Sequence, residues 1–142
     1  MPIVGVVADA NALLSAIVGK AALRVITEFN IETHVSEFNV DEVAEYLPRM
    51  SKKYGLPVEL VELQWKLLPL HIHTVSDYES LLPRAIADMK RRDPEDAHPL
   101  ALARSLAIPL WSNDRDFDDV DVECYTTARL LRLLGEQKRP RG

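Results

Sequence analysis

Four acidic residues stand in four separate segments, each beside a predicted strand end or helix start. Asp9 follows the apolar run IVGVVA, Asp114 lies just beyond the apolar end of IPLW, and Glu42 and Asp96 fall near the starts of two helices. Carboxylate oxygens suit hard cations such as Mg²⁺ or Mn²⁺, whereas zinc prefers histidine or cysteine. Two such ions about 4 Å apart can activate water and hold a phosphodiester in line. This set of acids therefore predicts a divalent-metal site that cleaves phosphodiester bonds.

Each acid taken singly also has a purely structural explanation. Asp9 could end a strand in a turn, and Glu42 could favour the positive end of a helix. Asp93 with Pro94 resembles an N-cap followed by proline, and Asp96 could bind backbone N–H groups if its helix begins near residue 97. Their combination favours the metal site, because four converging carboxylates would repel one another unless cations are bound.

Strands and helices must alternate to bring these acids together. Short apolar or alternating runs predict strands at IVGVVA, IETHVS, HIHTVS, IPLWS and VDVECY, with helical periodicity between them. Gly19 is expected to break the first helical stretch, and Gly55 to close a later one. This alternation predicts an α/β domain with a mostly parallel sheet covered on both faces. In such sheets ligands gather beyond the carboxyl ends of the strands, where Asp9 and Asp114 would meet.

Length, composition and missing motifs limit the classes of protein to which the chain could belong. The 142 residues fit one domain, and the net charge of −5 argues against a nonspecific nucleic-acid coat but not against a nuclease whose acids hold metal. The single cysteine and the absence of a signal peptide make a cytoplasmic location the expectation. No apolar stretch reaches the ~18 residues needed to span a membrane, so no membrane partner is expected. Phosphate-loop, dinucleotide and serine-hydrolase motifs are missing.

Four segments resemble the PIN-domain family of metal-dependent ribonucleases, which includes the VapC-type toxins of toxin–antitoxin pairs. They are VVADANALLSA, VSEFNVDEVAEYL, DPEDAHPLALARSLAIPLWSNDRDF and VECYTTARLLRLL, and they span residues 3–134 in the family's order. The third segment is the most specific of them. The resemblance implies a three-layer α/β/α fold around a mostly parallel five-stranded sheet, and hydrolysis of RNA that leaves a 5′-phosphate.

The resemblance also assigns roles by position. The catalytic acids would be Asp9, Glu42, Asp96 and Asp114. The ligands of Mg²⁺ or Mn²⁺ would be Asp9, Asp96, Asp114 and Asp116, supported by Asn11 and Ser112. The family commonly forms homodimers, and a toxin of this kind would bind an antitoxin protein. The domain is expected over residues 1–135, followed by a flexible basic tail over residues 136–142.

Two other functions remain open from the sequence. The chain could be a non-catalytic PIN-like module that binds a partner protein, although the retained acids favour the enzyme. A Mg²⁺-dependent phosphatase with an aspartyl nucleophile would usually show D-x-D at the first strand, where this chain has Asp9, Ala10 and Asn11. A ribonuclease could serve either as a toxin or in RNA processing.

Basic and histidine residues outside the acids suggest weaker hypotheses. Three basic groups could line an RNA path: Arg49 with Lys52 and Lys53, Lys90 with Arg91 and Arg92, and Arg104 with Arg115. His71 and His73 alternate on one predicted strand, so both point to the same face. A metal pair is conceivable there, but no third ligand is apparent and packed or surface imidazoles are favoured.

Overall fold

The computed structural model describes residues 2–89 and 93–138, so the basic group at residues 90–92 lies outside the described residues. Its five strands form one parallel sheet in the order β3-β2-β1-β4-β5. The strands are β1 (Gly5–Ala8), β2 (Glu32–Ser36), β3 (Leu70–His73), β4 (Leu110–Trp111) and β5 (Cys124–Tyr125). The predicted five-stranded parallel sheet is confirmed.

The helices connect the strands and cover both faces of the sheet. They are α1 (Ala10–Ile17), α2 (Lys20–Thr27), α3 (Glu37–Tyr54), α4 (Val58–Leu67), α5 (Leu82–Met89), α6 (Ala97–Leu106) and α7 (Thr127–Lys138). Short 3₁₀ turns lie at Val75–Asp77, Glu79–Leu81, Pro94–Asp96 and Arg115–Phe117. The last two of these turns carry acids of the predicted site.

The central strand divides the core into two layers. Val6 and Ala8 pack with the buried residues of α1, α2, α3, α4 and α7, whereas Val7 packs on the opposite face with α5 and α6. Successive side chains of a strand point to opposite faces, so a strand buried on both sides reads as a continuous apolar run. The α/β/α layering expected for the chain follows from this arrangement and is confirmed.

The C-terminal helix extends further than the sequence suggests. The flexible tail was expected from residue 136, but α7 continues to Lys138. Gln137 donates from Nε2 to the carbonyl of Ile3 at 2.8 Å and accepts the Ile3 N–H at 2.6 Å. These bonds fasten the end of the helix beside the first strand, and residues 139–142 lie outside the described residues.

No single helix within residues 2–89 and 93–138 is long and apolar enough to cross a membrane. Taken together, α1 and α2 would satisfy the same criteria of length and composition, but the two are bent by 101° at the break between them.

Gly19 makes that break, with φ of 95° and ψ of −155°. Only glycine adopts this backbone conformation without strain, which costs other residues on the order of 1–3 kcal/mol. Gly135 lies inside α7 instead, and a Cβ at either glycine would meet nothing within 4 Å. Differences in stability between alanine variants at these two positions therefore report backbone conformation and not crowding.

We expect Gly19→Ala to lower the free energy of unfolding by about 1–3 kcal/mol and Gly135→Ala to raise it by about 0.5–1 kcal/mol. Urea unfolding of the two variants beside the parent protein measures both effects. Equal signs for the two substitutions would contradict the assigned helix break.

Candidate metal centre

Asp9 and Ser112 meet at the carboxyl ends of two neighbouring strands. The register pairs Ala8 with Trp111, so the next residue of each strand lies at the same rim. The Asp9 N–H donates to the carbonyl of Trp111 at 3.2 Å, and the Ser112 hydroxyl donates to Asp9 Oδ2. Asp9 is 4% exposed and Ser112 is 1% exposed. Both predicted residues therefore lie buried at this rim.

The Asp9 carboxylate also begins the first helix. Its Oδ1 accepts the Ala12 N–H at 2.8 Å, which makes Asp9 the N-cap of α1. Burial raises the pKa of Asp9, the bonds from Ser112 and Ala12 oppose that rise, and the nearby charge of Asp114 adds to it. An ionised carboxylate has about four acceptor positions, so these two bonds leave capacity for a cation.

The turn after β4 is built from consecutive side-chain caps. The Asp114 N–H donates to the Ser112 hydroxyl at 3.0 Å, and the Asp116 N–H donates to Asp114 Oδ1 at 3.0 Å. Ser112 thus connects Asp9 to Asp114 directly. Short side chains that bond to backbone groups one or two residues away favour turns of this kind.

Asp96, Asp114 and Asp116 form an acidic triad. One carboxylate oxygen from each lies within 4.8 Å of the others. Asp96 occupies the N-cap position of α6, yet its side chain makes no capping hydrogen bond. The helix begins at Ala97, which places Pro99 in the first turn, where proline costs no intrahelical hydrogen bond. The Asp96 carboxylate is therefore directed to the other acids and not to the helix backbone.

The pKa of Asp96 reflects the electrostatic repulsion that this arrangement of acids creates. Its pKa rises to about 8, first because it is buried, then through a hydrogen bond with Asp116 and the charges of Asp93, Asp114 and Asp116. Its Oδ2 is buried and has no hydrogen-bond partner among residues 2–89 and 93–138. An all-oxygen set with an unpartnered carboxylate oxygen fits a hard divalent cation such as Mg²⁺ or Mn²⁺.

Glu42 and Asn11 lie outside this triad. Glu42 is half-buried, and its Oε1 accepts a 2.6 Å hydrogen bond from Asn39 Nδ2. Burial raises the pKa of Glu42, the bond from Asn39 lowers it, and the charges of Glu95 and Asp93 raise it further. Glu42 therefore faces the acids that precede Asp96. Asn11, in the first turn of α1, is exposed.

Sequence reasoning missed the residues that hold the β4 turn. Thr127 Oγ1 accepts from Trp111 Nε1 at 2.9 Å and from Asn113 Nδ2 at 3.0 Å. The Thr127 N–H in turn donates to Asn113 Oδ1 at 2.8 Å. These three residues fasten the end of β4 to the start of α7, on either side of Ser112. The only available signal was a threonine pair at the start of a predicted helix.

Two of the basic groups predicted to line an RNA path differ in their surroundings. Arg104 Nη2 bonds to Asp88 at 2.6 Å and to Asp121 at 2.7 Å, and its side chain is 16% exposed. The prediction that Arg104 lines an RNA path is therefore not retained, because its guanidinium is committed to two carboxylates. Arg49 and Lys53 instead line a cleft of about 500 Å³ between α1 and α3.

That cleft combines cations with aromatic rings. The Arg49 guanidinium lies 5.2 Å from the centre of the Tyr46 ring, and Lys53 Nζ lies 5.4 Å from that of Tyr54. Asn11 contributes to the same wall. Asn11 follows Asp9 by two residues at the start of α1, so this end of the cleft lies near the acidic rim.

Solved structures with the same fold come from several organisms. A toxin–antitoxin complex from Klebsiella pneumoniae contains a chain with a TM-score of 0.62 and 19% identity, over 86% of this chain and 97% of that one. PAE2754 from Pyrobaculum aerophilum has a TM-score of 0.69 and 14% identity, over 94% and 90%. VapBC2 from Rickettsia felis, solved with a DNA fragment from its promoter, has a TM-score of 0.67 and 13% identity, over 86% and 98%. At these identities the likeness concerns the fold.

Sequence comparison gives the family. No curated protein matches the chain. The family model described as the PIN domain matches residues 7–134, from the middle of β1 into α7. The match contains Asp9, the acidic triad and the residues that hold the β4 turn, and the chain belongs to the PIN domain family.

Proposed function

We propose that the protein is a metal-dependent endoribonuclease that hydrolyses RNA phosphodiester bonds. The convergence of Asp96, Asp114 and Asp116, with the buried and unpartnered Oδ2 of Asp96, is the observation that carries the proposal. Half-buried carboxylates at such distances repel one another, and bound cations remove that repulsion. Membership of a family of nucleases supports the same conclusion.

The acids divide into two roles in this proposal. Asp96, Asp114 and Asp116 hold Mg²⁺ or Mn²⁺ together with Asp9, which Ser112 keeps beside Asp114. In this proposal Glu42, whose carboxylate lies near Glu95, is the fourth catalytic acid. When bound, the ion would supply a water of lowered pKa and neutralise charge on the phosphodiester. The chain contributes the orientation of the acids, and no side-chain nucleophile is required.

The cleft between α1 and α3 is the proposed path for single-stranded RNA. Arg49 and Lys53 supply positive charge for phosphates, and the rings of Tyr46 and Tyr54 supply faces on which bases stack. Asn11 connects this cleft to the acidic rim. Cations that neutralise phosphates would also offset the overall net charge of −5 where the substrate approaches.

A toxin role is supported by two of the structural neighbours, a toxin–antitoxin complex and VapBC2. In that role the protein would act in the cytoplasm as a homodimer and bind an antitoxin protein encoded beside it. An RNA-processing nuclease would need no such partner. The competing function is a non-catalytic interaction module, which would retain the fold without binding metal at the acids.

Substitution of a single acid distinguishes a metal-dependent nuclease from a non-catalytic interaction module. Asp96→Asn and Asp114→Asn should each lower Mn²⁺ affinity and RNA cleavage by about 100-fold or more, because each removes a negative ligand. Asp119→Asn, an exposed acid in the same loop, is the matched control and should retain both. Calorimetric titration with Mn²⁺ and cleavage of a labelled RNA measure the effects. Unchanged cleavage in both acid variants would refute the proposed site.

The raised pKa of Asp96 predicts a pH-dependent stability in metal-free protein. A carboxyl group whose folded pKa is about 8 instead of 3.8 contributes stability that is complete below pH 3.8 and is lost progressively as the pH rises from there to about 8. Tm of the metal-free protein should therefore fall between about pH 4 and about pH 8 and level off above that. Saturating Mg²⁺ should reduce that fall, and Asp96→Asn should diminish it without metal. An identical pH profile in the variant would show that Asp96 is not the titrating group.

The RNA path is tested with a pair of charge-matched double variants. Arg49→Gln with Lys53→Gln should raise KM about tenfold or more, leave Mn²⁺ affinity unchanged and reduce the salt slope of RNA binding by up to about 2. Arg132→Gln with Lys138→Gln removes the same charge from α7 and should change KM little. Comparable KM values for the two double variants would exclude the α1–α3 cleft as the path.

A further inference from the structure

Three of the four histidines lie together on one face of the sheet, at the β2–β3 edge. The parallel register pairs His34 with His71 and Ser36 with His73, so all three imidazoles project to the same side. The His34 ring centre lies 4.9 Å from that of His71 and 5.0 Å from that of His73. We call these residues the histidine cluster. The sequence showed only the His71–His73 pair, since His34 joins it through strand pairing.

The outer nitrogens of two of these rings contact carboxylates. His34 Nε2 lies 3.1 Å from Glu32 Oε1, and His73 Nδ1 lies 3.0 Å from Asp77 Oδ2. An ionised carboxylate only accepts hydrogen bonds, so both outer nitrogens carry the ring proton. A neutral imidazole has a single N–H, which leaves the inner nitrogen of each ring with a lone pair and no proton.

Those two inner nitrogens face each other. His34 Nδ1 lies 2.8 Å from His73 Nε2, which is an ordinary hydrogen-bond distance. If both outer nitrogens keep the ring protons, no proton is left for this contact and the two lone pairs repel. Burial, together with the charges of His73 and His71, lowers the pKa of His34, although Glu32 opposes the shift. A cation that accepts both lone pairs removes the repulsion without protonating either ring.

We propose that His34, His71 and His73 form a binding site for a divalent transition-metal ion of the Zn²⁺ type. Imidazole nitrogens suit zinc, copper and nickel, and three histidines with one open position are an established zinc coordination. His34 Nδ1 and His73 Nε2 already converge. The ring nitrogens of His71 do not reach that point in the structure, and its exposed side chain would have to turn to bring one there.

Glu32 and Asp77 accept hydrogen bonds from the ring nitrogens that would not bind the metal in this site. Metal-bound histidines usually donate their second ring N–H to a carboxylate, which fixes the tautomer and orients the ring. The side chains of His34 and His73 are 12% and 19% exposed, so each ring is held in place while a path from solvent remains. The ring of His34 also packs above Gly5, where a Cβ would lie 3.6 Å from it.

The site is separate from the acidic triad and does not rest on the proposed nuclease activity. Its residues belong to β2 and β3, whereas Asp114 and Asp116 follow β4, and β1 lies between the two halves of the sheet. An ion held by His34 and His73 would join the edge strand β3 to β2. It would thereby fasten the strand whose side chains are the most exposed of the described sheet.

Zinc titration of the full-length, metal-free protein in saturating Mg²⁺ tests the proposal. We expect one Zn²⁺ per chain by calorimetry, a rise in Tm on binding, and tetrahedral visible absorption when Co²⁺ replaces Zn²⁺. His71→Ala and His73→Ala should each weaken Zn²⁺ binding by about 100-fold or more, and Asp77→Asn by about 10-fold. Circular dichroism of each variant verifies that it is folded.

Two controls separate this site from other zinc ligands. Ile72 lies between the two histidines of β3 and is 57% exposed on the opposite face, so Ile72→Thr should retain the affinity of the parent protein. Asp114→Asn disables the acidic triad and should also retain it. Unchanged zinc affinity in folded His71→Ala and His73→Ala, or loss of zinc binding in Asp114→Asn, would overturn the histidine site.

Discussion

The buried carboxylate of Asp9 is the group on which the arrangement of the acidic rim depends. A carboxylate removed from water costs several kcal/mol unless hydrogen bonds compensate it. The compensation comes from Ser112 on one oxygen and from the Ala12 N–H on the other. The same two bonds set the start of α1 and the conformation that follows β4. Because Ser112 also accepts the Asp114 N–H, satisfying Asp9 places the next acid as well.

Repulsion within the acidic triad opposes folding of the metal-free chain. Asp96 has a raised pKa because burial and neighbouring acids both disfavour its charged form. The apolar layers on the two faces of the sheet and the bonds among Trp111, Asn113 and Thr127 must offset this cost. Functional sites commonly retain such locally unfavourable arrangements, which the rest of the fold compensates. In this protein the unfavourable groups are the ones that a cation would stabilise.

Local patterns predicted the elements, and the family resemblance supplied the site. The apolar run before Asp9 and the break at Gly19 can be read within a few residues, since they reflect strand burial and backbone conformation. The proximity of His34 to His71 and His73 could not be predicted from such local patterns. It depends on the register between β2 and β3, which no local pattern records.

Tertiary pairing also explains the remaining differences. Arg104 resembles an exposed cation in the sequence, but residues 16 and 17 positions away bind its guanidinium. Glu42 does not belong to the same cluster as the triad, because its carboxylate binds Asn39 and lies near Glu95 and Asp93. The support that Thr127 gives to Trp111 and Asn113 depends on α7 docking beside β4.

The strands β4 and β5 have only two residues each, whereas β1, β2 and β3 have four or five. Few ladder hydrogen bonds hold the acid-bearing half of the sheet, and side-chain bonds to Thr127 take over part of their function. Proteins open in cooperative units whose free energies depend on such local bonding. We therefore expect amide hydrogen exchange to be faster in β4 and β5 than in β1, β2 and β3. Ligand-dependent ordering can act in that half while β1, β2 and β3 stay closed.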